Sequence, residues 1–329
     1  MTQNGNEQLS TTSQTTVSTC QISGNDNALR GIPLFYRVGL KIMDWRRSIG
    51  FRRAAVRKAG GSRILTADFG AALPVLMYHH IGSEVTGTNP ALTISPAQFE
   101  RHLCYLKRRG YTTILPADWL AYVTRGKALP KKPLLLTFDD AYADLAQHCF
   151  PLLKKYGCTG VVFVPTANIA GTNVWDQPDW PVPHRLLSAG QIAEWAAQGI
   201  DFGAHTRSHP DLRYLTLSEI EKELEGSRRD LETILGRQVV SFAYPYGYCG
   251  DREVELALCK FPLCFTTDEG TNTLATDLGR LHRIMIYPGG LLGFRLCLVF
   301  GFDPIIRLRT LVRLRTRLRR FWRTLSRAG

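Results

Sequence analysis

The chain has 329 residues and is 44% hydrophobic, enough for one large domain with extensions or for two small ones. Its net charge of +13 is uneven: residues 28–63 carry ten Lys/Arg against one Asp, residues 291–329 ten Arg against one Asp, and residues 64–290 carry 21 basic against 24 acidic side chains. A nucleic-acid enzyme sets its basic surface around the active region, so this distribution argues against a nucleic-acid partner.

Residues 1–27 are polar and rich in Thr, Ser, Gln and Asn, without the charged start and apolar core of a signal peptide; a disordered N-terminus is expected. In the basic segment 28–63, Phe35, Val38, Ile42, Trp45 and Ile49 recur at steps of three and four, which predicts an amphipathic helix. Between 74 and 288, strand-like and helix-like segments alternate. Pro74–Tyr78 reads as a strand, and Ser95-Pro96-Ala97-Gln98 starts a helix that Gly110 stops. Strands follow at Tyr111–Leu115 and Leu134–Phe138, then a helix around Tyr142–Tyr156 ended by Gly157, and a strand at Gly160–Pro165. Ser188-x-x-Gln191 caps the next helix, Ile200–Ala204 is a short strand, and Thr216-x-x-Glu219 caps a long helix ending at Gly236. Val239–Ala243, a helix near Arg252–Lys260, Cys264–Thr267 and Arg283–Tyr287 complete the series. Such repeated units predict a parallel sheet with crossover helices, as an open doubly wound sheet or a barrel.

Two segments carry chemistry. Leu134-Leu135-Leu136-Thr137-Phe138-Asp139-Asp140 is an apolar strand ending in two carboxylates, which a parallel sheet delivers to its ligand-binding edge. His205-Thr206-Arg207-Ser208-His209-Pro210 can turn two imidazoles toward one point. Either alone is compatible with a solvated turn or a packed histidine pair. Together they supply the two-histidine, one-carboxylate set of an open catalytic zinc site, with the second carboxylate free to act as a base.

The same segments resemble the first two motifs of the polysaccharide deacetylases (the NodB-homology group, carbohydrate esterase family 4). Phe242-Ala243-Tyr244-Pro245-Tyr246-Gly247 resembles the third. Pro74 to Ile81, with Tyr78-His79-His80, and Leu281-His282-Arg283-Ile284 resemble the opening and closing segments of the poly-N-acetylglucosamine deacetylase branch. The resemblance spans about 74–288. It implies a distorted (β/α) barrel and metal-dependent removal of an N-acetyl group from an amino sugar. It implies Asp140, His205 and His209 as ligands of a divalent metal, with Zn²⁺ the default and Co²⁺, Ni²⁺ or Fe²⁺ open. Asp139 would be the base, Arg283 its orienting partner in place of an Arg the third motif lacks, and His79 the acid, with His80 the next candidate and His282 structural. The backbone N–H of Tyr246 would stabilise the oxyanion, and Trp175, Asp176, Trp180, Tyr244 and Tyr246 sit where they could meet a sugar face. Ala141 departs from the Gly that usually follows Asp-Asp. Removal of a formyl group, hydrolysis of a cyclic amide, and a non-catalytic glycan-binding relic are the competing readings.

The eight cysteines are scattered, with no C-x-x-C spacing, and suit a reducing compartment. In the C-terminal segment 291–329, Leu311, Leu314, Leu318, Phe321 and Leu325 form a second apolar stripe among arginines. Basic amphipathic helices at both ends of a 64–290 catalytic domain predict a peripheral protein of an anionic surface, the cytoplasmic face of a bacterial inner membrane. A lipid-linked glycan precursor would be accessible there. Packing of both stripes on the barrel is the alternative. A membrane span over Ile284–Phe302 is a weaker expectation, since Gly289-Gly290 and Arg295 interrupt it.

Overall fold

The computed structural model describes residues 72–83, 89–177, 179–304 and 307. The polar N-terminus, the basic segment 28–63 and the stripe from Leu311 to Leu325 lie outside the described residues.

In chain order, β1 (Leu73–Tyr78) leads into the short pair β2 (His80–Ile81) and β3 (Thr93–Ile94). Helix α1 (Pro96–Arg108) starts with the Ser95 hydroxyl accepting from Gln98 N. After β4 (Thr112–Thr113) comes α2 (Pro116–Arg125), a helix the motif-centred sequence reading passed over; Pro116 opens it and Gly126, left-handed at φ 67°, ends it. β5 (Pro133–Phe138) precedes a π-helical turn at Leu145–Cys149 that runs into α3 (Phe150–Tyr156). The helix expected from Tyr142 therefore begins later, because Tyr142–Asp144 are held in the turn that shapes the site. Next come β6 (Val161–Val164), α4 (Ala189–Ala197), β7 (Asp201–Ala204), α5 (Leu217–Leu235), β8 (Ser241–Ala243), α6 (Asp251–Leu258), β9 (Leu263–Phe265), β10 (Thr271–Asn272), β11 (Ile284–Met285) and α7 (Leu291–Phe300). Capping boxes at Ser188 and Thr216 start α4 and α5.

The main sheet runs β1-β5-β6-β7-β8-β9 with every neighbour parallel, and β11 pairs in parallel with the other edge of β1. A parallel bridge from Phe265 to Leu281 joins β9 to the segment that continues into β11. The sheet thus curls into a half-barrel whose gap is spanned by residues 281–285, and an open doubly wound sheet is excluded.

Two apolar cores follow from strand alternation. Leu76, Tyr78, Leu134, Leu136, Phe138, Val162, Val164, Phe202, Phe242 and Tyr244 belong to the larger core, shared with the helices. Leu73, Val75, Leu135, Val161, Phe163, Ala243, Leu263, Phe265 and Leu281 form the smaller one inside the curl. Gly203 sits at the inner parity, where an added Cβ would lie 2.6 Å from Phe163 and 2.5 Å from the Ser241 hydroxyl. That parity continues through the strand ends and sorts the candidate residues: His79, Asp139, His205 and Arg283 follow the inner core, His80 and Tyr244 the outer one.

The stretch Ile284–Phe302 divides into β11, a Gly289-Gly290 loop and α7, and no helix among the described residues is long and apolar enough to cross a membrane. Helix α7 buries Phe294 and Cys297, Phe294 stacking on His102 of α1 at 3.9 Å, and Gly301 (φ 74°) ends it. Residues 291–300 thus pack with the barrel helices rather than opening one continuous C-terminal helix.

Candidate metal centre

Asp139 N donates to Tyr78 O at 3.0 Å, and His205 N donates to Val164 O at 3.0 Å, so ladder register fixes both residues at the barrel mouth. Beyond these points the chain leaves ordinary backbone space. Asp140, Ala141, Thr206, His209 and Tyr246 all have φ between 55° and 70°. Non-glycine residues in this region cost of order 1–3 kcal/mol each and concentrate at functional sites. At Asp140 the turn reverses strand parity, bringing a side chain due outward back over the barrel. Thr206 Oγ1 bonds to His205 O and accepts from His209 N at 3.0 Å, which steadies the turn between the two histidines.

Asp140, His205 and His209 converge, with one ligand atom from each lying within 4.8 Å of the others. His205 Nε2 is 3.6 Å and His209 Nε2 3.3 Å from Asp140 Oδ1. His205 Nδ1 lies 2.7 Å from Ala243 O, a carbonyl that can only accept. The proton is therefore on Nδ1, and the Nε2 lone pair faces a carboxylate oxygen. Burial lowers both imidazoles, His209 strongly, and keeps them neutral. Burial first, then the charges of Asp139 and Asp176, push the Asp140 carboxyl well up. Asp140 Oδ1 is buried without a hydrogen-bond partner. Such a buried N/N/O set could hold a divalent cation.

Asp139 has a different surrounding. Arg283 Nη1 and Nη2 donate to its two oxygens at 2.6 and 2.8 Å, both side chains buried. Arg283 is itself aimed by Nε donation to Thr266 O at 2.8 Å. Burial alone would raise the Asp139 carboxyl; Arg283, His205 and His79 outweigh it and bring it down to about 2. Arg283 thus holds the residue the sequence assigned to it.

His79 is half-buried at the end of β1, its Nδ1 without a partner. Burial lowers its imidazole to about 4, against the pull of the Asp139 charge. His80, the alternative acid, faces away: its Nδ1 pairs with Asp144 Oδ2 at 2.8 Å, and its ring stacks on Tyr142 with centroids 3.5 Å apart. Tyr246 is exposed, its ring centroid 4.7 Å from His209, and Trp175 stacks on His209 at 4.5 Å. Tyr244 is a correction. It is fully buried in the outer core and donates to Gly279 O at 3.0 Å, out of reach of any sugar. Alternation along β8 sends it the same way as Phe242. The backbone of His282 is bracketed by Asn272, which accepts from His282 N at 2.8 Å and donates to His282 O at 2.9 Å.

Sequence reading missed two further groups. Tyr142 donates to Asp176 Oδ2 at 3.3 Å, and Asn173 Nδ2 donates to the same oxygen at 2.6 Å. The closeness of Tyr142 to the double aspartate was the available signal. Glu223 of α5 accepts from Arg207 N (2.7 Å), Ser208 N (2.9 Å) and Ser208 Oγ (2.7 Å), clamping the loop between the histidines. Nothing in the sequence ties that helix position to the loop.

Comparison with known proteins agrees with this geometry. The family model described as polysaccharide deacetylase matches residues 126–259. YxkH of Bacillus subtilis, whose name places it among polysaccharide deacetylases, is 30% identical over 220 residues, 67% of this chain and 73% of its own. A poly-beta-1,6-N-acetyl-D-glucosamine N-deacetylase of Staphylococcus epidermidis is 26% identical over 205 residues, 59% of this chain and 68% of its own. Among solved structures, the Streptococcus pyogenes deacetylase PplD in complex with acetate superposes with a TM-score of 0.60 at 28% identity, covering 67% of this chain and 94% of that one. With the motifs in order, the curled parallel sheet beneath them and these relatives alongside, the chain belongs to the polysaccharide deacetylase family.

Proposed function

We propose that the protein is a metal-dependent hydrolase that removes an N-acetyl group from an amino sugar of a polysaccharide or lipid-linked glycan precursor. The observation that carries this is the contrast between two adjacent buried carboxylates: Asp139 has its cation in Arg283, and Asp140 faces two neutral histidines. Asp140, His205 and His209 would hold the metal, zinc by default. A divalent ion there supplies Lewis acidity, acidifying water and polarising an acyl oxygen.

Asp139, kept ionised by Arg283, takes the proton from the attacking water. The water oxygen bonds to the acyl carbon, the carbon–nitrogen bond breaks, and the sugar nitrogen leaves as an amine with acetate as the other product. The backbone N–H of Tyr246 is the proposed donor to the acyl oxygen. His79, the proposed acid, starts neutral, so it takes up the proton that Asp139 removed from the water and then delivers it to the departing nitrogen. Trp175 and the exposed Tyr246 flank His209 and would border the sugar.

The test is metal analysis of the purified protein coupled to measurement of acetate and formate released from lipid-linked and polymeric amino sugars. Acetate release that stops on chelation and returns with one divalent ion per chain supports the reading. Formate without acetate would make it a deformylase, and a metal-free, inactive protein a glycan-binding relic.

We also propose a peripheral membrane location at an anionic leaflet. Helix α7 exposes Leu292, Val299 and Phe300 beside Arg295, and the chain from 304 onward carries nine arginines and no acidic residue. Polybasic segments gain about 1 kcal/mol per basic residue near such a surface. Cosedimentation with vesicles containing phosphatidylglycerol, lost at high salt and weakened by deleting 305–329, is expected. A protein that stays in the supernatant at low salt would refute the location.

A further inference from the structure

The metal centre lies where the parallel strands end. The floor of the barrel, where they begin, carries the opposite charge. Val75 pairs with Leu135, so the start of β1 at Leu73 is level with Pro133 at the start of β5. The end of α1 and the loop from α2 to β5 meet at this floor: Thr112 pairs with Pro133, and Lys132 Nζ donates to Arg109 O at 2.9 Å. Residues 107–110 and 125–132 carry seven Lys or Arg, all exposed, and no acidic side chain. Of these cations, Lys127 alone meets a carboxylate among the described residues, Asp118 at 3.2 Å. The loops around the metal centre, residues 139–144, 165–187 and 205–216, carry six acidic side chains against three arginines.

Both ends of the described chain leave from this floor. Residue 72 stands directly before β1. At the other end the chain passes from Ile286, whose N donates to Met77 O near the mouth, down α7 to Gly301. A Cβ added at Gly301 would lie 3.5 Å from Gly270 and Thr271, and Thr271 pairs with Pro74 at the start of β1. Arg307 Nε then donates to Glu269 Oε2 at 2.8 Å, and its guanidinium carbon lies 4.2 Å from the centroid of the Phe302 ring. The floor end of α7 leaves Val299 and Phe300 74% and 53% exposed. The sequence beyond both exits is itself basic: ten Lys/Arg against one Asp in residues 28–63, and eight arginines with no acidic residue after 307. Strand β1 and His79 together span about 20 Å, at about 3.3 Å per residue. Exposed charges act over about 10 Å at about 0.1 M salt, so the cationic floor does not serve to draw an anionic substrate to the metal centre.

We propose that the barrel floor is the membrane-facing surface, laid on an anionic leaflet with Val299 and Phe300 among the headgroups and the metal centre opening away from the lipid. The proposal rests on the peripheral-membrane reading and adds its orientation. It sets the reacting groups about 20 Å from the bilayer. Glycan then reaches them from the aqueous side, and a sugar attached directly to a lipid of the same leaflet lies out of reach.

The experiment is hydrogen–deuterium exchange of the full-length protein, free and bound to phosphatidylglycerol vesicles, together with cosedimentation of variants. Vesicles should protect the amides of residues 126–132 and 299–303 and leave those of 171–177 and 245–250 unchanged. Arg125→Glu with Lys131→Glu should weaken vesicle affinity at least about tenfold. Val299→Asp with Phe300→Asp should weaken it about as much. Asp179→Lys and Leu292→Asp, both toward the mouth, should each change it by less than about twofold. Exchange of the free variants checks that each is folded, and the protection pattern of the unsubstituted protein stands without them. Protection of the mouth loops, or floor variants that bind as the unsubstituted protein does, overturns the orientation and leaves the location standing. Absence of binding to any anionic vesicle sinks the peripheral-membrane reading and the orientation with it.

Discussion

Asp139 and Asp140 are neighbours in sequence, equally buried, and electrostatically opposite. Around Asp139 the chain supplies its own cation: Arg283 reaches across the barrel mouth from the closing segment and binds both oxygens. Around Asp140, among the described residues, it supplies none, only two imidazoles whose Nε2 atoms lie 3.6 and 3.3 Å from Asp140 Oδ1. A buried carboxylate needs a positive partner. On the proposed function, the first is an ionised base and the second is part of a site that a divalent metal would complete. The difference arises from backbone: Asp139 ends the ladder at inner parity, and Asp140 turns left-handed at φ 70°.

The strongest way to break the comparison is to neutralise one carboxylate. Asp139→Asn should lower kcat by about 10³-fold, the range of a lost general base, with metal content unchanged. A near-normal rate, or loss of metal by mass spectrometry, would show that the two residues do not divide the work as described. Arg283→Leu should cost about 3–5 kcal/mol in urea unfolding, because it strands a buried charge. Combined with Asp139→Asn, it should cost much less than the sum of the single changes, as expected of partners in one pair. Additivity would mean the salt bridge is not what holds the closing segment.

The next test separates the two histidines. His79→Ala should reduce turnover by about 10²-fold with metal retained, the lower end for an acid–base group. His80→Ala should leave the Asp139–Arg283 pair intact and lower turnover far less than His79→Ala, since His80 pairs with Asp144 away from Asp139. A larger kcat loss for His80 would reverse the parity argument.

Acid titration compared between the protein and Asp139→Asn isolates the contribution of Asp139. Its carboxyl is lower when folded, at about 2, than its ordinary value of 3.8. The stability it contributes is present above pH 4 and is lost as pH falls from about 4 toward 2. With a shift near two units, about 2–3 kcal/mol should disappear over that window and be absent in Asp139→Asn. The smallest expected effect is at Ala141, whose φ of 55° favours glycine. Ala141→Gly should change stability by no more than about 1 kcal/mol, strain relief offset by the lost buried methyl, and leave metal affinity unchanged.

Much of this was legible in the chain. The strands ending at Phe138 and Ala204, the capping boxes at Ser188 and Thr216, and the glycine stops at Gly157 and Gly236 are local signals, set by side-chain alternation and terminal hydrogen bonds. Residue chemistry at those ends named Asp139, Asp140, His205 and His209, and the closing-strand resemblance named Arg283. Alternation also carried information not drawn from it in advance: counting by twos from Val75 puts His79 inside and His80 outside, and from Phe242 it sends Tyr244 into the core.

Tertiary structure decided the rest, since the deciding contacts join segments with no local relation. Arg283 meets Asp139 across 144 residues of chain, and Glu223 clamps Arg207 and Ser208 from a helix whose sequence reads only as an exposed acidic face. The curl of the sheet depends on residues 281–285 reaching both β9 and β1, a closure that no strand pattern specifies. The left-handed turns at Asp140 and His209 occur at residues with no intrinsic preference strong enough to announce them; the surrounding hydrogen bonds and packing impose them. Sequence determined which side chains the protein has for hydrolysis. Only the folded chain determined that one carboxylate receives an arginine and its neighbour two neutral histidines, because charge pairing in a dry site depends on distance in space and not along the chain.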